Sequence, residues 1–401
     1  MRAVEVGYSV VGFDVDESRV GRLRAGESYV EDVPSGAVSD ALESGLYLPT
    51  SDTSALNAFD YAVITVPTPL REGIPDLSFI EEAGRMLAPH LREGATVVLE
   101  STTYPGTTVE LLVPILEAGS RLSATTDFHV GYSPERVDPG NAVWGLANTP
   151  KIVSGIDSRS LSAVKRLYDD LVTSTVPMQR AEEAELVKLI ENTFRHVNIA
   201  LVNEIAMFAG DLGIDIWAAL DAAATKPFGF MRFNPGPGVG GHCLPVDPSY
   251  LSWRVKRQVG EAFRFVELAN DVNDHMPHYI VRRLMLALNR CEKPVKGSRL
   301  LLLGLAYKPN TGDVRESPAV VVAERLLGLG ADVRAVDPHV EGDRLAAKVQ
   351  LVDMTPDEVA SADAVVVLTD HDAFDWDLVV RHASFVFDTR HRVVGSQVEY
   401  L

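Results

Sequence analysis

Arg299-Leu300-Leu301-Leu302-Leu303-Gly304-Leu305-Ala306-Tyr307 is followed by a helical pattern over Ser317 to Leu327 and then by Ala331-Asp332-Val333-Arg334-Ala335-Val336-Asp337. A continuous apolar run closed by a glycine reads as a strand buried on both faces, which is how strands of a parallel sheet read. Strand, helix, strand within about 40 residues is a βαβ unit, and that unit sets the fold class. Asp363 to Leu368 (DAVVVL) and Ser384 to Asp388 (SFVFD) add two further strands to it.

The same grammar recurs at the other end of the chain. Tyr8 to Asp14 (YSVVGFD), Tyr61 to Pro67 (YAVITVP), Thr96 to Glu100 (TVVLE) and Phe128 to Tyr132 (FHVGY) read as strands. Helical patterns fall between them, over Ser18 to Ala25, Leu77 to Leu91 and Thr108 to Leu116. From Glu182 to about Ala224 the pattern is predominantly helical. The expected fold is α/β: two Rossmann-like parallel-sheet domains joined by a helical middle. The expected divisions are residues 1–180, 181–290 and 291–401.

Composition narrows the function. The 401 residues are 46% hydrophobic and 23% charged, the balance of a globular protein, with net charge −19. That charge argues against nucleic-acid or anionic-membrane partners, but an anionic small molecule needs only a local basic pocket. Cys243 and Cys291 are too few for a disulfide framework or a cysteine-rich metal site, so no metal is expected. No apolar run is long enough to span a membrane and no signal-peptide layout opens the chain, which makes a cytoplasmic location the expectation.

Ligands of open α/β sheets bind beyond the carboxyl ends of the strands. Asp14 ends the first strand read here, where an acid accepts from the adenosine ribose hydroxyls and disfavours a 2′-phosphate, hence NAD. A helix N-cap before Ser18 and Arg19 is the other reading of that acid. The glycine fingerprint should stand about 20 residues earlier; only thirteen residues precede Asp14, and Gly7 and Gly12 do not form it. Met1 to Val6 reads as the tail of a helix stopped by Gly7. The expectation is a first domain lacking its first strand and phosphate loop, and binding NAD weakly as written. Thr102 and Glu135, at later strand ends, can share a catalytic water. Pro67 and Pro69 shape a tight loop by fixing φ.

Gly236-Pro237-Gly238-Val239-Gly240-Gly241-His242-Cys243-Leu244-Pro245-Val246-Asp247 holds one of the two cysteines in a glycine-dense loop. Its thiol is either a covalent nucleophile or a structural cysteine in a turn. Glu185, Lys188, Asn192 and Arg195 recur at three- and four-residue spacing and share one helix face. That face is either solvated or aimed at a developing oxyanion.

Together VPTP, ESTTYPGTT, YSPERVDPGN, AELVKLIENTF, GPGVGGHCLPVDP and LAYKPNTGDVRESPA, in that order, resemble the UDP-glucose/GDP-mannose dehydrogenase family across essentially the whole chain. The resemblance implies an NAD-dependent four-electron oxidation of a nucleotide-sugar C6 alcohol to the acid, and a homodimer built on the helical middle. It implies Cys243 as the nucleophile, with Lys188, Asn192 and Asp247 as its oxyanion and water partners. Thr102 and Glu135 position water and move protons. Asp14, Arg19, Val66, Pro67, Thr68 and Thr102 fall to the cofactor. Glu135, Arg136, Lys188, Asn192, Gly240, Gly241, Lys308 and Arg390 fall to the nucleotide sugar. His242 is catalytic or a packing residue. The loop and the SPERVDPGN motif are most similar to the UDP-N-acetylhexosamine branch, particularly UDP-N-acetylglucosamine 6-dehydrogenases. UDP-glucose or TDP-glucose is the alternative sugar. A two-electron β-hydroxyacid dehydrogenase and an inactive nucleotide-sugar-binding protein are the alternative functions.

Overall fold

The computed structural model describes the chain except residues 31, 72, 139, 140, 142, 242 and 341–348 and the side chains of Cys243 and Pro245. It divides into two compact units, Met1–Glu191 and Asn192–Leu401.

The first unit opens with α1 (Arg2–Glu5), β1 (Val10–Phe13), α2 (Glu17–Arg24), α3 (Ser35–Glu43), β2 (Tyr47–Thr50) and β3 (Tyr61–Ile64). A short hairpin, β4 (Leu70–Arg71) and β5 (Ile74–Pro75), precedes α4 (Ser78–Leu87) and β6 (Thr96–Leu99). Then come α5 (Val113–Ser120), β7 (His129–Tyr132), β8 (Lys151–Ser154), α6 (Ser158–Leu171) and β9 (Thr175–Met178). Strands β3, β6 and β7 form a parallel sheet in the order β3-β6-β7, while β1-β2 and β8-β9 are parallel pairs.

The expected helix stop is present at the start: the Gly7 N–H bonds Val4 O at 2.9 Å. Asp16, not Asp14, caps α2, accepting from Ser18 N and Arg19 N. The helix read over Thr108 to Leu116 is instead a π turn over Thr108–Leu112 followed by α5. Pro114 explains the change, because it has no N–H to donate to an α-helical bond four residues back. Strands β2, β8 and β9 are additional to those read from the sequence; proline interrupts β2 and β9.

Helix α7 (Ala181–Leu212) runs through the division between the units. Glu182 and Glu183 in its first turn complement the helix dipole. The second unit continues with α8 (Ile216–Ala224), α9 (Cys243–Val259), α10 (Arg264–Arg290), β10 (Arg299–Leu303), α11 (Pro318–Gly328) and β11 (Asp332–Val336). It ends with β12 (Gln350–Leu351), α12 (Pro356–Ala360), β13 (Ala364–Val367), α13 (Trp376–His382), β14 (Val386–Asp388) and β15 (Val398–Tyr400). Among the described residues its six strands are all parallel, in the order β12-β11-β10-β13-β14-β15. This is the doubly wound order, whose switch point lies between β10 and β13.

The apolar run that decided the fold is buried on both faces. Leu300 and Leu302 pack with Met276, Ile280, Leu284, Val322 and Leu326 from α10 and α11. Leu301 and Leu303 pack with Val359 and Val379 from α12 and α13. Each of these leucines is at most 1% exposed, so truncation to Ala would cost about 2–5 kcal/mol.

Candidate active site

Asp14 lies just beyond β1. Its Oδ1 accepts from Asp16 N at 2.9 Å and its Oδ2 stands 3.4 Å from Arg19 Nη1. The carboxylate keeps 28% exposure at the strand's end. Val66, Pro67 and Thr68 follow β3, tied to the segment after β6 by Ser101 Oγ donating to Val66 O at 2.7 Å. Thr102 sits in that second segment, half-buried.

Glu135 follows β7. Its Oε1 accepts from Arg136 N at 2.8 Å and Val137 N at 2.7 Å, and its Oε2 lies 3.1 Å from Lys151 Nζ. Burial pushes this carboxyl up, but Lys151 and the two N–H groups outweigh it and hold the group below its usual range. Lys188 Nζ donates to the main-chain O of Glu135 at 2.6 Å. Lys188 and Glu135, expected to serve different steps, are therefore neighbours. Arg136 is differently engaged: its guanidinium pairs with Glu191 at 2.6 Å and donates to Pro150 O at 2.6 Å.

Most of the polar stripe on α7 is not solvated. Glu185 is fully buried and Asn192 is 5% exposed, whereas Phe194 is 47% exposed. Arg195 alone of the stripe is solvated. Glu185 accepts from Gly106 N at 2.6 Å, Thr108 N at 2.8 Å and Thr108 Oγ1 at 2.7 Å, clamping the turn that follows Thr102. Burial pushes its carboxyl up to about 7 against the pull of those donors.

In the second unit the glycine loop ends at Gly241 and Cys243 opens α9. This corrects the expectation of a loop cysteine. Polar residues and prolines disguise the start of α9, but proline is tolerated in a first helical turn, where N–H groups have no intrahelical acceptor. His242 lies outside the described residues. Asp247, one turn after position 243, is 2% exposed and accepts from the Asn192 amide.

The loop itself is held by neighbours that glycine alone admits. A Cβ at Gly236 would stand 2.5 Å from Arg390 Nη1, and one at Gly241, where φ is +83°, would stand 2.8 Å from the Tyr307 ring. The Gly236 N–H donates to Asn203 Oδ1 at 2.9 Å, and Asn203 Nδ2 donates to Asn273 Oδ1 at 3.0 Å. Arg390 is placed by Asp388, whose carboxylate accepts from the N–H groups of Arg390, Arg392 and Val393. Lys308 rides on the turn after β10. Asp337 Oδ2 accepts from Leu305 N at 2.7 Å and Ala306 N at 3.0 Å. His371 Nδ1 accepts from Asn310 N at 2.9 Å, so its Nε2 carries the proton that faces Asp337 at 3.1 Å.

Residues 1–172 match the NAD binding domain of the UDP-glucose/GDP-mannose dehydrogenase family, 182–275 its central domain and 301–394 its UDP binding domain. The chain belongs to this family. It is 34% identical over 402 residues to a UDP-N-acetyl-D-mannosamine dehydrogenase of Pyrococcus horikoshii, covering 98% of this chain and 93% of that protein. It is 35% identical to a UDP-N-acetyl-D-glucosamine 6-dehydrogenase of Pseudomonas aeruginosa, over 93% of this chain and 87% of that one. The solved UDP-D-ManNAc dehydrogenase of P. horikoshii superposes with a TM-score of 0.89 at 32% identity, covering 100% of this chain and 94% of that one.

As a member of the UDP-glucose/GDP-mannose dehydrogenase family the protein is a dehydrogenase and its cofactor is NAD. Among the described residues no helix is long and apolar enough to cross a membrane. Sequence reasoning missed Lys151, Tyr307, Asn203, Asn273 and His371. For Lys151 a signal existed, a lysine opening the strand-like run Lys151-Ile152-Val153-Ser154. The others are polar residues whose partners lie far away in sequence.

Proposed function

We propose that this dehydrogenase oxidises the C6 alcohol of a UDP-N-acetylhexosamine, UDP-N-acetylglucosamine first among them, to the uronic acid through a covalent Cys243 intermediate. The observation that carries the reading is the buried pair Asn192–Asp247, with Asp247 one helical turn beyond the cysteine that opens α9. Relatives that act on N-acetylhexosamines support the sugar class.

The C6 hydroxyl gives its proton to Glu135 through a water that Thr102 helps to position, while C6 gives up a hydride, leaving the aldehyde. The Cys243 thiolate adds to the aldehyde carbon, giving a thiohemiacetal that is then oxidised to a thioester. Water opens the thioester to the carboxylate and returns the thiol. Lys188 and Asn192 hold the oxyanion at each stage, and Asp247 orients the Asn192 amide. Asp14, Arg19, the 66–68 segment and Thr102 would hold NAD, which would supply a two-electron acceptor for each of the two oxidations, one cofactor molecule per hydride. Lys308, Arg390 and the Gly240–Gly241 backbone take the nucleotide sugar, with Arg136 supporting Glu135's segment. A cytoplasmic homodimer fits this reading. Leu201, Phe208 and Leu212 on α7 are 52%, 60% and 73% exposed and, with Phe194 and Ile205, give a second copy an apolar stripe to cover.

The test is turnover of UDP-N-acetylglucosamine, UDP-N-acetylmannosamine and UDP-glucose, following NADH and the mass of the product. Two NADH per uronate, abolished in Cys243→Ala, is expected. One NADH per sugar with Cys243→Ala unimpaired would replace the reading with a two-electron alcohol dehydrogenase.

A further inference from the structure

Lys151 is 3% exposed on a strand whose four residues are all buried. Its Nζ lies 2.9 Å from Glu100 Oε1, 3.1 Å from Glu135 Oε2 and 5.3 Å from the Tyr168 ring centroid. Glu100 directly follows β6 and Glu135 follows β7, so one ammonium spans the carboxyl ends of two neighbouring strands. The Tyr168 hydroxyl donates to Glu100. Burial, then Glu100, pushes that phenol well above its ordinary range, so it stays a donor.

Lys151 is buried and Glu100 keeps 14% exposure, while the Glu135 side chain keeps 44%; burying the ammonium is a poor source of stability, since desolvating a charge costs about as much as its attraction returns. An apolar side chain on β8 would serve packing at least as well. What the cluster does specify is Glu135: Oε1 is taken by two backbone N–H groups and Oε2 by Lys151. We propose that Lys151 is a positioning residue for the dehydrogenase reaction, keeping the Glu135 carboxylate charged and aimed, and that Glu100 tempers this hold by sharing the ammonium. The proposal rests on the reading of Glu135 as the proton-transfer group.

The groups facing Glu135 come from each element around it. Lys151 reaches it from β8, Glu100 from the end of β6, and Tyr168 from α6 by way of Glu100. From α7, Lys188 binds its main-chain O, and Glu191 is paired to the adjacent Arg136. Removing Lys151 takes away the cation in contact with the Glu135 carboxylate. Removing the Glu100 charge leaves that cation to Glu135 alone. The two changes therefore act in opposite directions.

The experiment compares wild type, Lys151→Met, Lys151→Arg and Glu100→Gln by two readouts. One is the 13C titration of Glu135 in protein carrying labelled glutamate, its signal identified by loss in Glu135→Gln. The other is the pH profile of kcat. Lys151→Met is expected to raise the Glu135 midpoint by about 1–3 units, with the acid limb of the profile following. Lys151→Arg should restore both, and Glu100→Gln should lower the midpoint. If Lys151→Met does not fold, the downward shift in Glu100→Gln carries the test alone. A Glu135 midpoint unmoved in the folded variants overturns the proposal. A midpoint that moves while the acid limb stays removes Glu135 from the proton path, and that failure belongs to the functional reading rather than to the electrostatic hold.

Discussion

The side-chain amide of Asn192 on α7 donates to the carboxylate of Asp247 on α9, with both residues buried. An amide nitrogen has two N–H donors in one plane. Committing one to Asp247 fixes where the other points, which is the preorganisation an oxyanion donor needs. Asn192→Ala should lower kcat by about 10²–10³-fold with a much smaller change in KM, and steady-state kinetics checks the split.

Glu185 makes stability depend on pH. Burial pushes its folded carboxyl up to about 7, from an ordinary value of 4.5. A group raised on folding contributes stability that is fully present below the unfolded value and is lost as pH rises through the folded one. Wild type should lose about 2–3 kcal/mol between pH 4.5 and 7.5 from this group. Denaturant unfolding across that range should show the loss diminished in Glu185→Gln.

Asn203 joins Asn273 to the Gly236 N–H entirely inside the second unit. Asn203→Ala strands a buried donor and a buried acceptor, at a cost of about 1–3 kcal/mol. The midpoint of urea unfolding should fall without a change in its slope.

Gly236 and Arg390 occupy adjoining space. Gly236→Ala should displace the guanidinium, raising KM for the UDP-sugar several-fold. Arg390→Ala should raise it too, and the double variant should show less than the product of the two effects, because both act on one contact.

The exposed side of α7 carries a different consequence. Phe208→Glu, at a position 60% exposed, should leave the fold intact and turn a dimer into a monomer in sedimentation or light scattering. An unchanged mass would exclude the α7 stripe as the interface.

Strand and helix periodicity made the α/β architecture readable, because Leu300 to Leu303 are apolar on both faces and only a covered sheet allows that. The α7 spacing placed Glu185, Lys188 and Asn192 on one face, yet spacing is silent about which face is inside. The structure buries Glu185 and Asn192 along with apolar residues such as Leu189 and Ala206, and leaves a second apolar stripe exposed. The start of α9 was obscured for a related reason: glycines and prolines before and within its first turn signal a loop locally.

By itself, then, the sequence determined the alternation of elements, the ordered motifs that mark the family, and the residue types available for chemistry. All of these are properties of neighbours along the chain. Tertiary structure alone decided that Lys151 sits between Glu100 and Glu135, that Arg390 lies against Gly236, and that His371 ties Asn310 to Asp337. Those partners stand from 16 to more than a hundred residues apart. Whether a buried charge or amide finds its complement depends on how strands and helices pack, which no local pattern records.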